Sequence, residues 1–124
     1  MDGLHRKSGV APDKIVELHG NYNLEICTAC QRQYLRDFHV RNAQKVHEHK
    51  TGRKCDDPLC KGNLIDTIIN FNESLRVADV EMGFSHSSVG DLHLVMGSSL
   101  RVSPACYMPK MSADKGGKLV IVNL

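Results

Sequence analysis

The sequence predicts an α/β fold, a parallel sheet with helices, to which a small module of four cysteines is attached. Short apolar segments alternate with segments of helical spacing over residues 61–124, a pattern that favours parallel strands buried on both faces. Two cysteine pairs bracket residues 27–60. Of the 124 residues, 41% are hydrophobic and 24% are charged, so we expect one globular domain.

Five elements are predicted in the second half of the chain, in the order strand, helix, strand, helix, strand. They are Ile65–Phe71, residues 76–89, Leu92–Met96, Pro104–Met111 and Lys118–Val122. Gly97 ends the second strand and Gly116-Gly117 introduces the third, because glycines at these places are turn signals.

The carboxyl ends of these strands are the expected ligand site, because α/β sheets bind their ligands there. Gly97, Ser98 and Ser99 follow the second strand, and Asn123-Leu124 follow the third. The sequence therefore predicts that these two stretches lie at the ligand-binding edge of the sheet.

The segment between the cysteine pairs is polar and basic. A weak apolar stripe, which includes Phe38 and Val46, predicts one helix over residues 34–48. Residues 31–54 carry seven Lys and Arg against two acidic residues, a balance of +5 in a chain of net charge +2. A solvated surface is the favoured interpretation. The alternative is a patch that binds nucleic acid or an acidic partner weakly.

The cysteines are spaced as metal ligands, with two residues between Cys27 and Cys30 and four between Cys55 and Cys60. Such pairs turn two sulfurs toward one ion, and two pairs complete the tetrahedron that Zn²⁺ accepts. A closed shell of four thiolates leaves no position for water. We therefore predict one structural, non-catalytic zinc ion.

Other residues compete weakly for this role. His47 and His49 are rival ligands, and Cys106 is expected to be a buried or half-buried free thiol. Met1 is followed by Asp2 without an apolar signal sequence, and no apolar run reaches transmembrane length, so we expect an intracellular protein with reduced thiols and no membrane contact.

His19 is the candidate for acid–base chemistry, in the stretch Glu17-Leu18-His19-Gly20-Asn21. A lone histidine is more often a packed or surface residue than a catalyst. Gly20 would let a ligand approach the backbone closely. By itself this stretch is only suggestive.

The order of the motifs along the chain is more specific than any one of them. They are Asp2-Gly3-Leu4-His5, Glu17 to Asn21, the four cysteines, Gly97-Ser98-Ser99-Leu100 and Ile121-Val122-Asn123-Leu124. In this order the sequence resembles the sirtuin family, and Thr51-Gly52-Arg53 before Cys55 resembles its class IV nuclear branch. The resemblance implies that residues 1–124 are part of a catalytic domain, with a zinc module at 27–60 and Rossmann-like strands and helices at 61–124.

The resemblance also implies a role for each matched residue. His19 corresponds to the general base, which deprotonates a ribose hydroxyl after the acyl oxygen of the modified lysine has displaced nicotinamide. Asp2 corresponds to the acidic residue near the nicotinamide pocket. Gly97, Ser98 and Ser99 correspond to the loop on the adenosine side of NAD, and Asn123 and Leu124 to the end of the next strand, near the adenine ribose.

The substrate is implied in the same way. Asn70, Phe71 and Asn72 match the segment that pairs with the acylated peptide as an added strand, although Asn72 stands where many relatives have Gly. The implied activity is NAD-dependent protein-lysine deacylation, with mono-ADP-ribosylation as a second implied reaction, on a nuclear protein such as a histone.

Two expectations set limits on that activity. The family's Gly-Ala-Gly-Ile-Ser phosphate loop is absent from this sequence, so we expect an incomplete piece that is inactive alone, because the loop and the helix that follows it hold the pyrophosphate. The alternative function is a zinc-stapled module that binds chromatin or nucleic acid without catalysis.

Overall fold

The computed structural model describes every residue from Met1 to Leu124. The chain divides into two units, Met1–Leu75 and Arg76–Leu124, and each contains one sheet. The two units are described separately below.

The first unit is built on a sheet of four short antiparallel strands in the order β2-β1-β4-β3. These are β1 (Leu24–Cys27), β2 (Gln33–Leu35), β3 (Lys50–Lys54) and β4 (Asn63–Asp66), preceded by the one-turn helix α1 (Leu4–Lys7) and a 3-10 turn at Pro12–Lys14. All four residues of β1 are buried, because this strand has a neighbour on both sides.

A charged side chain lies inside this sheet. Glu25 of β1 is fully buried, and its carboxylate accepts hydrogen bonds from Arg36 Nε at 2.8 Å and Arg53 Nε at 2.8 Å. Burial of a charge is tolerated only when it is paired and hydrogen-bonded. Two arginines of the basic 31–54 segment are therefore engaged inside the unit, and their charges are not free for a polyanion.

The predicted helix over residues 34–48 is wrong. Tyr34 and Leu35 belong to β2, where Leu35 pairs with Leu24, and no helix lies between them and β3. Phe38 and Val46 remain 46% and 62% exposed. Because these apolar side chains find no common core, a helix here would gain too little burial to offset its conformational entropy.

The predicted strand over Ile65–Phe71 is wrong in its partners and in its length. The observed strand, β4, ends at Asp66 and is antiparallel to both β1 and β3. The Asp66 carboxylate then accepts the backbone N–H of Ile68 at 2.9 Å, a local turn interaction that competes with the ladder. A β-branched run indicates a strand but does not specify its neighbours.

The second unit contains the predicted elements in the predicted order, but its second helix lies at Met108–Asp114 instead of Pro104–Met111. It contains α2 (Val77–Val89), β5 (Leu92–Met96), a 3-10 turn at Ala105–Tyr107, α3 (Met108–Asp114) and β6 (Lys118–Val122). The strands β5 and β6 are parallel and in register from Leu92↔Lys118 to Met96↔Val122. In neither unit is any helix long and apolar enough to cross a membrane.

Ser112 connects the helices and strand of this second unit. Its side chain is almost fully buried and donates to the carbonyl of Ser87 in α2 at 2.7 Å. Since the single hydroxyl proton is used there, His93 Nδ1, at 3.2 Å in β5, must donate to Ser112. The expected burial of these strands on both faces is wrong: all five residues of β6 are exposed and only Val95 of β5 is buried, because the two helices of this unit leave the sheet largely uncovered.

Candidate metal centre and catalytic cavity

Four cysteine sulfurs of the first unit converge on one point. The Sγ atoms of Cys27, Cys30, Cys55 and Cys60 all lie within 4.8 Å of one another. The distance is 3.6 Å between Cys27 and Cys60 and 3.7 Å between Cys30 and Cys55. A tetrahedral Zn²⁺ with Zn–S bonds of about 2.3 Å requires sulfurs about 3.8 Å apart, so the donor set fits this ion.

Two turns next to the sheet place these sulfurs. Cys27 ends β1 and Cys55 follows β3, and Cys55 N donates to the carbonyl of Gly62 at 2.8 Å. A Cβ atom at Gly62 would lie 2.6 Å from the Cys27 sulfur and 2.9 Å from the Ala29 Cβ. Only glycine therefore leaves room for the chain to pass beside the cluster.

The thiols influence one another's protonation strongly. Hydrogen bonds from the backbone N–H groups of Cys30 and Ala29 lower the pKa of Cys27 to about 6. At Cys60, the Gly62 backbone lowers the pKa, but the thiols of Cys27 and Cys30 outweigh it and raise the pKa to about 12. Negative charge does not accumulate on four adjacent sulfurs without a cation, so metal binding must release protons.

The rest of the cluster's surroundings favour a structural role. The Tyr34 hydroxyl lies 3.0 Å from the Cys55 sulfur and accepts the Asp56 N–H at 3.2 Å. His47 and His49 are not members of the cluster. Cys106 is a half-buried free thiol outside it. Four thiolate donors fill the tetrahedron and leave no position for a reactive water.

His19 lies at a separate cavity of the first unit. The cavity has a volume of about 200 Å³ and is lined by Met1, His19, Ile69 and Phe71. His19 is exposed, while its carbonyl accepts the Ile69 N–H at 3.2 Å. The backbone of His19 is therefore anchored and its imidazole remains accessible.

Gly20 is essential to this anchoring. It has φ of +76°, and a Cβ atom there would lie 1.8 Å from the carbonyl oxygen of Thr67. Asn21 N donates to Thr67 Oγ1 at 3.0 Å, and that hydroxyl donates back to the Asn21 carbonyl at 3.1 Å. The glycine thus serves the contact between residues 19–21 and 67–69, rather than the approach of a ligand.

Asn21 and Asp2 both have structural partners. Asn21 is fully buried, and its side chain bonds Glu17 at 2.8 Å. Asp2 is exposed, and the hydrogen bond from the Leu4 backbone lowers its pKa. Asp2 does not line the His19 cavity, although its neighbour Met1 does.

The residues matched to the adenosine side of NAD lie in the second unit. Gly97, Ser98 and Ser99 follow β5, and Asn123-Leu124 follow β6. Because Met96 pairs with Val122 and Gly97 N donates to the Val122 carbonyl at 3.0 Å, the two stretches are adjacent. All of them are exposed, at the carboxyl ends of parallel strands where α/β sheets bind ligands.

The residues matched to substrate binding, Asn70, Phe71 and Asn72, follow the segment that anchors His19. The Phe71 side chain is 84% exposed, and Asn72 adopts a left-handed conformation with φ of +69°. Behind them lies a polar network that the sequence reasoning missed, formed by Glu73, His47 and His49. The only signal was the His-x-His spacing, which places two side chains on one face of extended chain.

Comparisons with known proteins agree with the family resemblance of the sequence. The model of the Sir2 family matches residues 1–104. The chain is 38% identical over 124 residues to NAD-dependent protein deacetylase SRT1 of Oryza sativa subsp. indica, covering 100% of this chain and 25% of that relative. It is 38% identical over 131 residues to NAD-dependent protein deacetylase sirtuin-7 of Homo sapiens, covering 99% and 32%.

Solved structures resemble the chain over nearly its whole length. A structure described as Sir2 bound to acetylated peptide has a TM-score of 0.64 and 34% identity, covering 98% of this chain and 48% of that one. The chain thus spans 25% and 32% of the two curated relatives and about half of the solved structure.

Proposed function

We propose, from the premise that this chain belongs to the Sir2 family, that its protein is an NAD-dependent protein-lysine deacylase in which His19 is the general base. One observation carries the proposal: His19 and Phe71, the latter from the segment matched to peptide binding, line the same cavity. The cavity thus brings a candidate base and a candidate peptide-binding residue together, as a reaction on a bound peptide requires.

His19 is suited to its role by position and chemistry. Its carbonyl is fixed by Ile69 and its neighbour Gly20 is packed against Thr67, so the imidazole starts from a defined backbone. An imidazole can both accept and return a proton, which is why histidine is the most frequent general base in enzymes. In the proposed reaction it takes the proton from a hydroxyl of the bound co-substrate.

NAD, when bound, supplies the ribose to which the acyl group is transferred as nicotinamide leaves. We assign its adenosine side to Gly97–Ser99 and to Asn123-Leu124. This is supported by their adjacency at the carboxyl ends of β5 and β6. We also assign Asp2 to the nicotinamide side, from the resemblance of its motif.

The proposed substrate is a peptide with an acylated lysine that pairs with Asn70, Phe71 and Asn72 as an added strand. The exposed Phe71 side chain, which lines the His19 cavity, supports this. Histone substrates and a nuclear location remain predictions from the resemblance. The zinc ion would stabilise the sheet from which residues 67–73 extend, without touching the reaction.

The alternative of a nucleic-acid-binding module has less support. Of the seven basic residues in 31–54, Arg36 and Arg53 pair with Glu25, and Arg41 pairs with Asp66 at 3.1 Å. An arginine that is paired with a carboxylate is less able to neutralise a phosphate. Each of these ion pairs therefore weakens the counterion release that drives polyanion binding.

His19→Tyr in the full-length protein that contains this chain tests the proposal. We expect the deacylation rate to fall by roughly 10²–10⁴, the usual loss on removing a positioned base, with melting temperature and zinc content unchanged. His86→Tyr is the matched control, because His86 is exposed on α2. A folded His19 variant that keeps most of its rate would remove His19 from the mechanism. The same assay with labelled NAD reports whether protein ADP-ribosylation accompanies deacylation.

A further inference from the structure

One carboxylate oxygen of Glu73 is bonded by two histidines. Glu73 Oε1 lies 2.7 Å from His47 Nδ1 and 2.8 Å from His49 Nε2. The Glu73 side chain is 14% exposed, while those of His47 and His49 are 58% and 25% exposed. The contacts join residues 24 and 26 positions apart in sequence, so they tie the 47–49 segment to the chain after β4.

The two carboxylates beside His49 favour its cationic form. Its Nε2 faces Glu73, and its Nδ1 lies 3.1 Å from the Asp66 carboxylate. Carboxylates accept hydrogen bonds, so the cationic ring, with a proton on each nitrogen, donates to both of them. Arg41 Nη1, 3.1 Å from the same Asp66 carboxylate and 3.3 Å from His49 Nδ1, adds a second positive charge, which the buried Asp66 balances.

The other oxygen of Glu73 holds the start of the segment matched to the peptide. Glu73 Oε2 accepts the Asn70 backbone N–H at 2.5 Å and the Asn70 Nδ2 group at 3.0 Å. Glu73 N donates in return to the Asn70 carbonyl at 3.1 Å. The loop that carries Phe71 and Asn72 is therefore closed by the side chain and the backbone of Glu73, both of which bond Asn70.

We propose that His47, His49 and Glu73 form a clamp that positions residues 70–72 for the acylated peptide and thereby sets peptide affinity. The inference rests on the proposed function and adds to it three positioning residues that need not touch the reacting atoms. Its physical basis is preorganisation. A loop already held in one conformation loses less conformational entropy when the peptide binds.

The charges of the clamp make this affinity depend on pH. Burial opposes the charged form of His49, but hydrogen bonds to Asp66 and Glu73 outweigh it and raise the pKa of His49. At Glu73, burial is likewise outweighed, by Asn70 and the two histidines, and the pKa falls to about 2. A raised histidine pKa means that the clamp is complete below the ordinary value of about 6.5 and is lost as pH rises through the higher folded value.

Glu73→Gln in the full-length protein tests the clamp, because glutamine keeps the size of the side chain and removes its charge. We expect the KM for an acylated peptide to rise roughly tenfold, about the worth of one charge-assisted hydrogen bond. The kcat and the KM for NAD should change less than about twofold, because a loss of peptide binding alone raises only the KM for the peptide.

Glu48→Gln is the matched control. Glu48 is exposed and lies between the two histidines in sequence, so the Glu48 variant also removes one negative charge beside His47 and His49 but leaves the contacts of Asn70 in place. His49→Gln should raise the peptide KM as Glu73→Gln does, and should also abolish the alkaline rise of that KM in the wild type. If Glu73→Gln fails to fold, His47→Gln, at an exposed position, replaces it with a smaller expected rise.

A peptide KM that stays within twofold of wild type in the folded Glu73 and His49 variants would overturn the proposal. An equal rise of the peptide KM in the Glu48→Gln control would overturn it as well. Hydrogen exchange of the Asn70 amide separates this result from failure of the proposed function. Its protection should fall in Glu73→Gln and not in Glu48→Gln, whether or not the wild type deacylates. An inactive wild type would refute the proposed function, and an unchanged Asn70 amide would refute the clamp.

Discussion

The two units of the chain use charged side chains in opposite ways. In Met1–Leu75, buried charges such as Glu25 are paired with arginines that lie 11 and 28 residues away, and the metal centre joins cysteines up to 33 residues apart. In Arg76–Leu124, the ion pairs join residues only three or four positions apart: Arg76–Asp79 at the start of α2 and Lys110–Asp114 in α3.

This difference has a consequence for stability. Long-range polar contacts in the first unit constrain chain segments that have little apolar burial of their own, so the loss of one group frees several segments. In the second unit, backbone ladders and helix packing follow the local sequence pattern. We therefore expect single polar substitutions to be severe in the first unit and mild in the second.

The largest effect is expected at the metal centre. Cys27→Ser removes a buried ligand from the four-sulfur cluster, and structural zinc supplies on the order of ten kcal/mol of folding free energy in small modules. We expect the first unit to unfold. Cys106→Ser, at a half-buried thiol of the second unit, should cost less than about 1 kcal/mol. Thermal melts with zinc analysis decide this, and equal losses in the two variants would contradict the comparison.

The next effect concerns the backbone that carries His19. Gly20→Ala places a Cβ atom 1.8 Å from the Thr67 carbonyl oxygen at φ of +76°, so residues 19–21 must separate from 67–69. We expect a loss of about 4 kcal/mol, well above the 1–3 kcal/mol of backbone strain alone.

Gly52→Ala is the control that measures the backbone strain alone. Gly52 has nearly the same φ, +79°, but no atom within 4 Å of the added Cβ. We expect only the strain cost, about 1 kcal/mol. Urea unfolding of both variants measures the difference, and indistinguishable midpoints would mean that the contact with Thr67 contributes nothing.

The smallest effect is expected in the second unit. Ser112→Ala leaves the Ser87 carbonyl and His93 Nδ1 without their partner, which should cost about 1–2 kcal/mol. Ser88→Ala is the control, since its hydroxyl bonds the Ser85 carbonyl at an exposed site, and it should change stability by less than about 0.5 kcal/mol. If Ser112→Ala lowered the free energy of unfolding as much as Gly20→Ala does, the proposed difference between the two units would be contradicted.

Some of this protein could be predicted from local sequence alone. The strands β5 and β6, the helix α2 and the turn at Gly97 follow from apolar periodicity and turn residues, because each such pattern acts within a few positions. The metal ligands were predictable for a similar reason: paired cysteines a few residues apart already point two sulfurs in one direction, and Zn²⁺ needs only two such pairs.

Other features were decided only by the tertiary structure. β4 joins an antiparallel sheet, and residues 34–48 form no helix, because both outcomes depend on which distant segment offers a partner. The clamp of His47, His49 and Glu73 and the fit of Gly20 against Thr67 also bring together residues at least 24 positions apart. No local pattern encodes such contacts, since their free energy exists only after the chain has folded and water has been excluded around them.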